Sequence, residues 1–308
     1  MSGSSKKVIY AALAGNFLIA VTKFFAAMFT GSSAMFSEGI HSLVDTGNQG
    51  LLLYGMRQSK RPASPRFPFG HGKEVYFWSF VVAILIFAVG SGVSIVQGVQ
   101  HLIDPQPIEN PMVNYIVLGL AMVFEGSSWL FALTEFSRAK GKWGYVEAIQ
   151  RGKDPTLFMV VFEDSAAMIG LVVALLGVFL AEHTGLLWLD GAASVLIGVI
   201  LGGTAVWLAW ETKGLLIGEA ANTPVVNGIR QLAHDTPEID EVNEVLTMHM
   251  GPDYVLVTIS VAFSPHIEAV DLERIIADLD ARIKDRYPQA RKIFVEAESI
   301  RVPRQQAS

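Results

Sequence analysis

The residues that most directly suggest chemistry are an imidazole and a carboxylate four positions apart in an apolar stretch. They are His41 and Asp45, in Ser37-Glu38-Gly39-Ile40-His41-Ser42-Leu43-Val44-Asp45. Positions i and i+4 share one face of a helix, so the two side chains converge on one point between packed helices. Ionisable groups at bilayer depth are costly and mark functional sites. The polar residues around them, Glu38, His41 or Ser42, Asp45, and Asn48 or Gln49, recur every three or four positions and draw one wet stripe along the helix. A stripe of that kind lines a cavity. A second apolar stretch carries Glu163 and Asp164 side by side, and a third carries Glu125 within Met122-Val123-Phe124-Glu125-Gly126-Ser127-Ser128. One histidine and five carboxylates (Glu38, Asp45, Glu125, Glu163, Asp164) then have Lys23 as their cationic partner. A divalent cation, or protons, would balance the excess. Carboxylate oxygen with one imidazole nitrogen suits Zn²⁺, Mn²⁺, Fe²⁺ or Co²⁺ better than soft Cu(I). The plainer alternative is that these groups pair with one another or with Lys23 as polar glue between helices.

The elements that must position these residues are membrane helices. Hydrophobic residues make up 51% of the 308 and charged ones 17%, with a mean hydropathy of +0.41, which excludes an ordinary soluble enzyme. A hydrocarbon core about 30 Å thick needs about 20 apolar residues per helix. Six stretches qualify: Val8 to Phe29, Ala34 to Tyr54, Val75 to Ile103, Met112 to Phe136, Leu157 to Leu180 and Leu186 to Leu208. The polar segment Met1 to Lys7 lacks a small-residue cleavage site after it, so the first run reads as a membrane helix and not a signal peptide. Lys23 lies near the far end of that helix and is expected to snorkel to the interface. No other histidine is expected deep in a span. Gly90, Gly92 and Gly98, with Ser91 and Ser94, predict close helix packing in the third.

Charge sets the orientation. Lys6 and Lys7 precede the first span. Arg57, Lys60, Arg61, Arg66 and Lys73 follow the second, Arg138, Lys140, Lys142, Arg151 and Lys153 the fourth, and Lys213 the sixth, while the other connections carry no Lys or Arg. By the positive-inside rule both termini are cytoplasmic. The expected domains are residues 1–215, a transmembrane unit with 14 Lys/Arg against 14 Asp/Glu, and residues 216–308, an acidic tail with 9 against 15. The net charge of −6 therefore belongs to the tail, and no nucleic-acid partner is expected. With no cysteine, a metal must be held by imidazole or carboxylate.

In the tail, helix is predicted over Val225 to His234, strand over Val242 to Met248, a turn at Gly251-Pro252-Asp253, strand over Tyr254 to Phe263, helix over Glu268 to Tyr287 and strand over Lys292 to Glu298. Val255, Val257, Ile259 and Val261 form one strongly β-branched face of the second strand. The order αββαβ implies a two-layer domain with helices on one face of a small sheet.

Taken together, the six helices, the Thr30-Gly31-Ser32-Ser33-Ala34 turn before a His-x-x-x-Asp second span, Phe69-Gly70-His71-Gly72-Lys73 before the third, and the αββαβ tail resemble the cation diffusion facilitator family. The resemblance covers nearly the whole chain. The wording from Ser37 to Gln49, with Glu163-Asp164-Ser165-Ala166-Ala167, is most similar to the branch containing zinc transporter nine. The resemblance implies divalent metal/proton antiport, a homodimer, and a transport site joining two residues of the second span to two of the fifth. His41, Asp45 and Asp164 match that pattern, but Val160 stands four before Asp164 where a ligand is usual. Glu163, about 100° round the helix from Asp164, or water would complete the set, with Glu125 and Glu38 as competitors from neighbouring helices. In the loop after the second span His71 matches a further family site, its companions replaced by Phe67, Ser64 and Pro65. In the tail the positions that bind a zinc pair in some members are Asn243, Ile259, Asp271 and Val295, so that cluster is expected to be absent. His249, His266, Glu296 and Glu298 read as solvated surface groups.

The function expected is export of a divalent cation, Zn²⁺ foremost, from the cytoplasm in exchange for protons, across a bacterial inner membrane. An unperturbed imidazole titrates near physiological pH, which makes His41 the preferred proton carrier, while Asp45 and Asp164 supply the charge that draws in the cation. The competing readings are a non-transporting metal sensor or scaffold and, lacking His-Glu-x-x-His, an intramembrane metalloenzyme.

Overall fold

A computed structural model describes residues 3–107, 110–145, 147–148 and 152–299; Arg151 of the charge pattern lies outside them. The chain divides into two compact units, one of Met1–Gln58 with Glu74–Lys213, the other of Ser59–Lys73 with Gly214–Ser308.

The first unit is helical. Its elements are α1 (Gly3–Thr30), α2 (Ser33–Gln58), α3 (Glu74–Leu85), a π-helical turn (Ile86–Ser91), α4 (Gly92–Ile103), α5 (Pro111–Ala139), α6 (Pro155–Thr184) and α7 (Trp188–Ile217), whose last turn reaches into the second unit. Boundaries follow the local chemistry. Pro111 and Pro155 open α5 and α6, the Asp154 side chain accepts from the Thr156 N–H, and Gly185 closes α6 at φ +70°. Among the described residues, four helical stretches are long and apolar enough to cross a membrane: Glu74–Ile103, Pro111–Arg138, Phe158–Thr184 and Trp188–Ile217. In α1 the apolar stretch is Asn16–Thr30. The polar stripe of α2 keeps that helix below the apolarity of a plain span.

The core of this unit is built from small residues: Ala26, Ala27, Ala34, Ala121, Ala166, Ala174 and Ala193, with Met35, Leu118, Leu171, Ile197 and Leu201 between them. In lipid, helix association depends on close van der Waals approach rather than on escape from water. The contact of α4 with α7 shows why. A Cβ on Gly98 would stand 2.6 Å from the Val195 backbone nitrogen and 2.8 Å from the Gly191 oxygen. The packing expected of Gly98 is present, whereas a Cβ on Gly92 would approach only its own helix, at Phe87 O.

The second unit contains α8 (Thr223–His234), β1 (Ile239–Gly251), β2 (Tyr254–Phe263), α9 (Ala269–Arg286) and β3 (Ala290–Ala297). The sheet order is β1-β2-β3, with β1 antiparallel and β3 parallel to β2. Val255, Val257, Ile259 and Val261 are fully buried against Ile229 and Ala233 of α8 and Leu279 and Ile283 of α9. Strand β1 is longer than alternation predicts, because register shifts between Ile239 and Glu241 and between Val242 and Glu244 interrupt its period.

The boundary expected at 215/216 falls at 213/214, and the loop 59–73 belongs with the tail. The reason is local. Lys73 Nζ donates to the carbonyls of Leu216 (3.4 Å) and Ile217 (3.5 Å), capping the C-terminal end of α7. Gly72 lies against Met250 and Gly251 so tightly that a Cβ on it would meet the Met250 oxygen at 2.2 Å.

Candidate metal centre

Helix α2 buries its polar face. Ser37, Glu38, His41, Ser42, Asp45 and Asn48 are all buried, the three-to-four-residue period of the sequence turned inward. His41 is 1% exposed, its Nδ1 stands 3.3 Å from Asp45 Oδ1, and neither ring nitrogen has a hydrogen-bond partner. Helix α6 packs on α2 and brings in Glu163. Asn48 Nδ2 donates to Glu163 Oε1 at 2.5 Å, which ties Glu163 to the polar face of α2. Asp164 is half-buried, with Oδ2 buried and unpartnered.

Glu163, the reserve ligand on helical phase, is thus the α6 carboxylate that touches α2, and Asp164 the one that stands apart. The phase of α6 about its own axis is set by Ala166 and Ala167, both buried, and turns Glu163 inward without any break in the α-helix. Among the described residues, no three His, Asp or Glu side chains lie close enough to surround one ion. The structure therefore brings His41 to Asp45 and Glu163 to Asn48 of the same polar face. Buried atoms without partners here include His41 Nδ1 and Nε2, Asp45 Oδ1, Asn48 Oδ1 and Asp164 Oδ2. Unsatisfied buried acceptors cost about 1–3 kcal/mol each, and charged ones more. This donor set of oxygen and imidazole nitrogen is one that a borderline divalent cation satisfies.

Lys23 does not snorkel. It is fully buried, and its ammonium donates to Glu38 Oε2 at 3.0 Å, Glu125 Oε1 at 2.8 Å and Ser42 Oγ at 2.8 Å. The expectation failed because moving the ammonium to the interface would strand two carboxylates in an apolar setting, a larger penalty than burying one paired cation. Glu38 and Glu125, low-ranked as metal ligands, are bound to Lys23 instead. His71 stacks on the Phe67 ring, centroids 4.5 Å apart, in a loop closed by the Ser64–Phe67 bridge.

Asp190 was overlooked in the sequence. It is fully buried and accepts from Ser32 Oγ and the Ser33 N–H, both at 2.7 Å, and from the Ala34 N–H at 3.3 Å, so it caps α2 from across the bundle. His101 Nδ1, in the last turn of α4, is 4.0 Å from Asp190 Oδ2, and His101 is itself buried. The signal was present: an aspartate five residues into an apolar span is as anomalous as Asp45. In the second unit, Ile259 and Val295 are register partners on the core face, and Asn243 Nδ2 donates to Ser260 Oγ at 3.3 Å. His249, expected at the surface, is buried.

A helical bundle with buried acids on its inner faces defines a class only together with sequence similarity, and that similarity is clear. Residues 9–217 match the model of the cation efflux transmembrane domain. The chain belongs to the cation efflux, or cation diffusion facilitator, family and is an integral, multi-pass membrane protein. It is 32% identical over 282 residues to the mitochondrial proton-coupled zinc antiporter SLC30A9 of Xenopus laevis, covering 89% of this chain and 50% of that protein. It is 32% identical over 250 residues to metal tolerance protein C4 of Arabidopsis thaliana, 80% of this chain and 55% of that one. Magnetosome protein MamM of Magnetospirillum gryphiswaldense is 27% identical over 251 residues, 81% of this chain and 74% of its own length. The chain spans about half the length of the SLC30A9 and metal tolerance relatives.

Proposed function

We propose that this chain is a secondary transporter that exports a divalent metal cation, Zn²⁺ foremost, from the cytoplasm in exchange for protons. The observation that carries the reading is the set of buried, unpartnered atoms of His41 and Asp45 on α2 and Asp164 on α6. Similarity to proteins named as proton-coupled zinc antiporters supports the choice of metal and of coupling ion. Mn²⁺, Fe²⁺ and Co²⁺ fall within the same donor chemistry.

The ligand set of this reading is His41, Asp45 and Asp164, with Glu163 as the fourth donor. Asp45 and Asp164 supply the charge that offsets a divalent cation in hydrocarbon, and His41 the nitrogen that favours zinc. Glu163 is held by Asn48 of α2. Cargo binding displaces protons from the ligating groups, since a ligand must be deprotonated to bind. Protonation of the same groups, His41 among them, releases the cargo. The bundle then has six spans (α1, α2, α3 with α4, α5, α6 and α7) with both termini cytoplasmic, a reading supported by the Lys/Arg-rich connections. Homodimerisation through the tail is supported by Leu246 and Phe294, which are 56% and 46% exposed on the sheet face away from the helices and flank Thr258 in register.

Calorimetric titration of the full chain in detergent with Zn²⁺ tests the site. Wild type is expected to bind zinc, and Asp45→Ala or Asp164→Ala to lose more than the roughly 10–100-fold that removal of an outer-shell partner costs. Wild-type affinity in both variants would reject it.

A further inference from the structure

Lys23, Glu38 and Glu125 meet where α1, α2 and α5 pack, and their charges do not balance. The ammonium has three hydrogens, and all are used, on Glu38 Oε2, Glu125 Oε1 and Ser42 Oγ. Each carboxylate keeps its other oxygen beyond that reach. Glu38 Oε1 and Glu125 Oε2 are both buried and have no hydrogen-bond partner. Glu38 Oε1 lies over Gly170, where a Cβ would stand 2.6 Å from it. One ammonium therefore faces two carboxylates whose outer oxygens are orphaned in a dry setting, where an uncompensated charge is expensive.

We propose that this cluster is a second proton site, apart from the metal ligands: it holds one proton between Glu38 and Glu125 while the metal site is empty and gives it up when metal binds at His41 and Asp45. The inference rests on the metal-transport reading above. With the proton the cluster is neutral; without it the charge is −1, matched by the arriving cation. Its charged groups come from three elements, Lys23 of α1, Glu38 of α2 and Glu125 of α5, and the next titratable group along α2 is His41. Ser42, next to His41 in the chain, accepts from Lys23 at 2.8 Å and donates to Glu125 Oε1 at 3.3 Å, so a divalent ion held at His41 and Asp45 lies close enough to disfavour a proton here with no ligand in common. The proton leaves by way of Glu125, whose side chain is 11% accessible while those of Lys23 and Glu38 are sealed.

The test counts protons. The full chain in detergent, in weakly buffered solution with an indicator dye, is titrated with zinc chloride, and protons released per zinc bound are compared for wild type, Glu38→Gln and Glu125→Gln. Either substitution keeps the side-chain shape and leaves one carboxylate against one ammonium, so neither strands a charge, and the two variants lie on different helices. Both should bind zinc and release one proton fewer per zinc than wild type, with the slope of log affinity against pH lower by one. Wild-type proton release from variants that bind zinc would overturn this proposal alone. Absence of zinc binding by the wild-type chain would overturn the metal-transport reading and this proposal with it.

Discussion

The side chains of α2 divide the work between two neighbouring clusters one helical turn apart, His41 with Asp45 and Glu38 with Lys23. They respond differently to substitution. Lys23→Met removes the cation paired with Glu38 and Glu125 and should lower stability by about 3–5 kcal/mol, read as a drop in the thermal midpoint in detergent; adding Glu38→Gln and Glu125→Gln should recover most of it. An unchanged midpoint in the single variant would mean that the ion pairs carry no weight. In the other cluster, His41→Ala should weaken Zn²⁺ binding more than Mn²⁺, because imidazole favours the former; equal losses would remove His41 from selectivity. Glu163→Gln should weaken zinc at least as much as Asp45→Ala, and Val160→His, which restores the family pattern, should rescue that variant. The chemistry was legible because charged residues in apolar runs announce themselves. What could not be read was which charge met which: Lys23 and Glu125 are 102 positions apart, and no periodicity reports on such a pair.

At the scale of elements, the helices were legible from apolar run length and the tail from its alternation, whereas relative phase was not. The choice between Glu163 and Asp164 depends on how α6 is rotated against α2, which is decided by packing of small residues on several helices at once. The π-helical turn at Ile86–Ser91 likewise left no mark in the hydrophobic pattern. Two contacts now carry predictions. Gly98→Val sets a branched side chain against the backbone of α7 and should cost at least about 1–3 kcal/mol, seen as a lower thermal midpoint with helical circular dichroism retained before melting. Asp190→Ala takes away the acceptor for the first N–H groups of α2 and should cost about 0.5–2 kcal/mol as other lost caps do. A thermal midpoint unaltered by either would show that these close contacts do not hold the bundle.

For the whole molecule, a neutral membrane unit and an acidic tail were evident from charge bookkeeping, but the loop 59–73 changes its allegiance because Gly72 and Gly251 meet across nearly 180 residues of sequence. The exposed Leu246 and Phe294 lead to an assembly prediction: Leu246→Asp with Phe294→Asp should shift the purified chain toward monomer in light scattering, and an unchanged dimer would place the interface elsewhere. The central claim is that this chain couples metal export to proton entry through the α2 and α6 carboxylates. Purified chain reconstituted in liposomes, with zinc outside and an acidic lumen, tests it most directly through an internal zinc-sensing dye. Zinc uptake driven by the pH gradient, collapsed by a protonophore and absent in Asp45→Ala, is the predicted result; no uptake by wild type, or undiminished uptake in Asp45→Ala, would contradict the account.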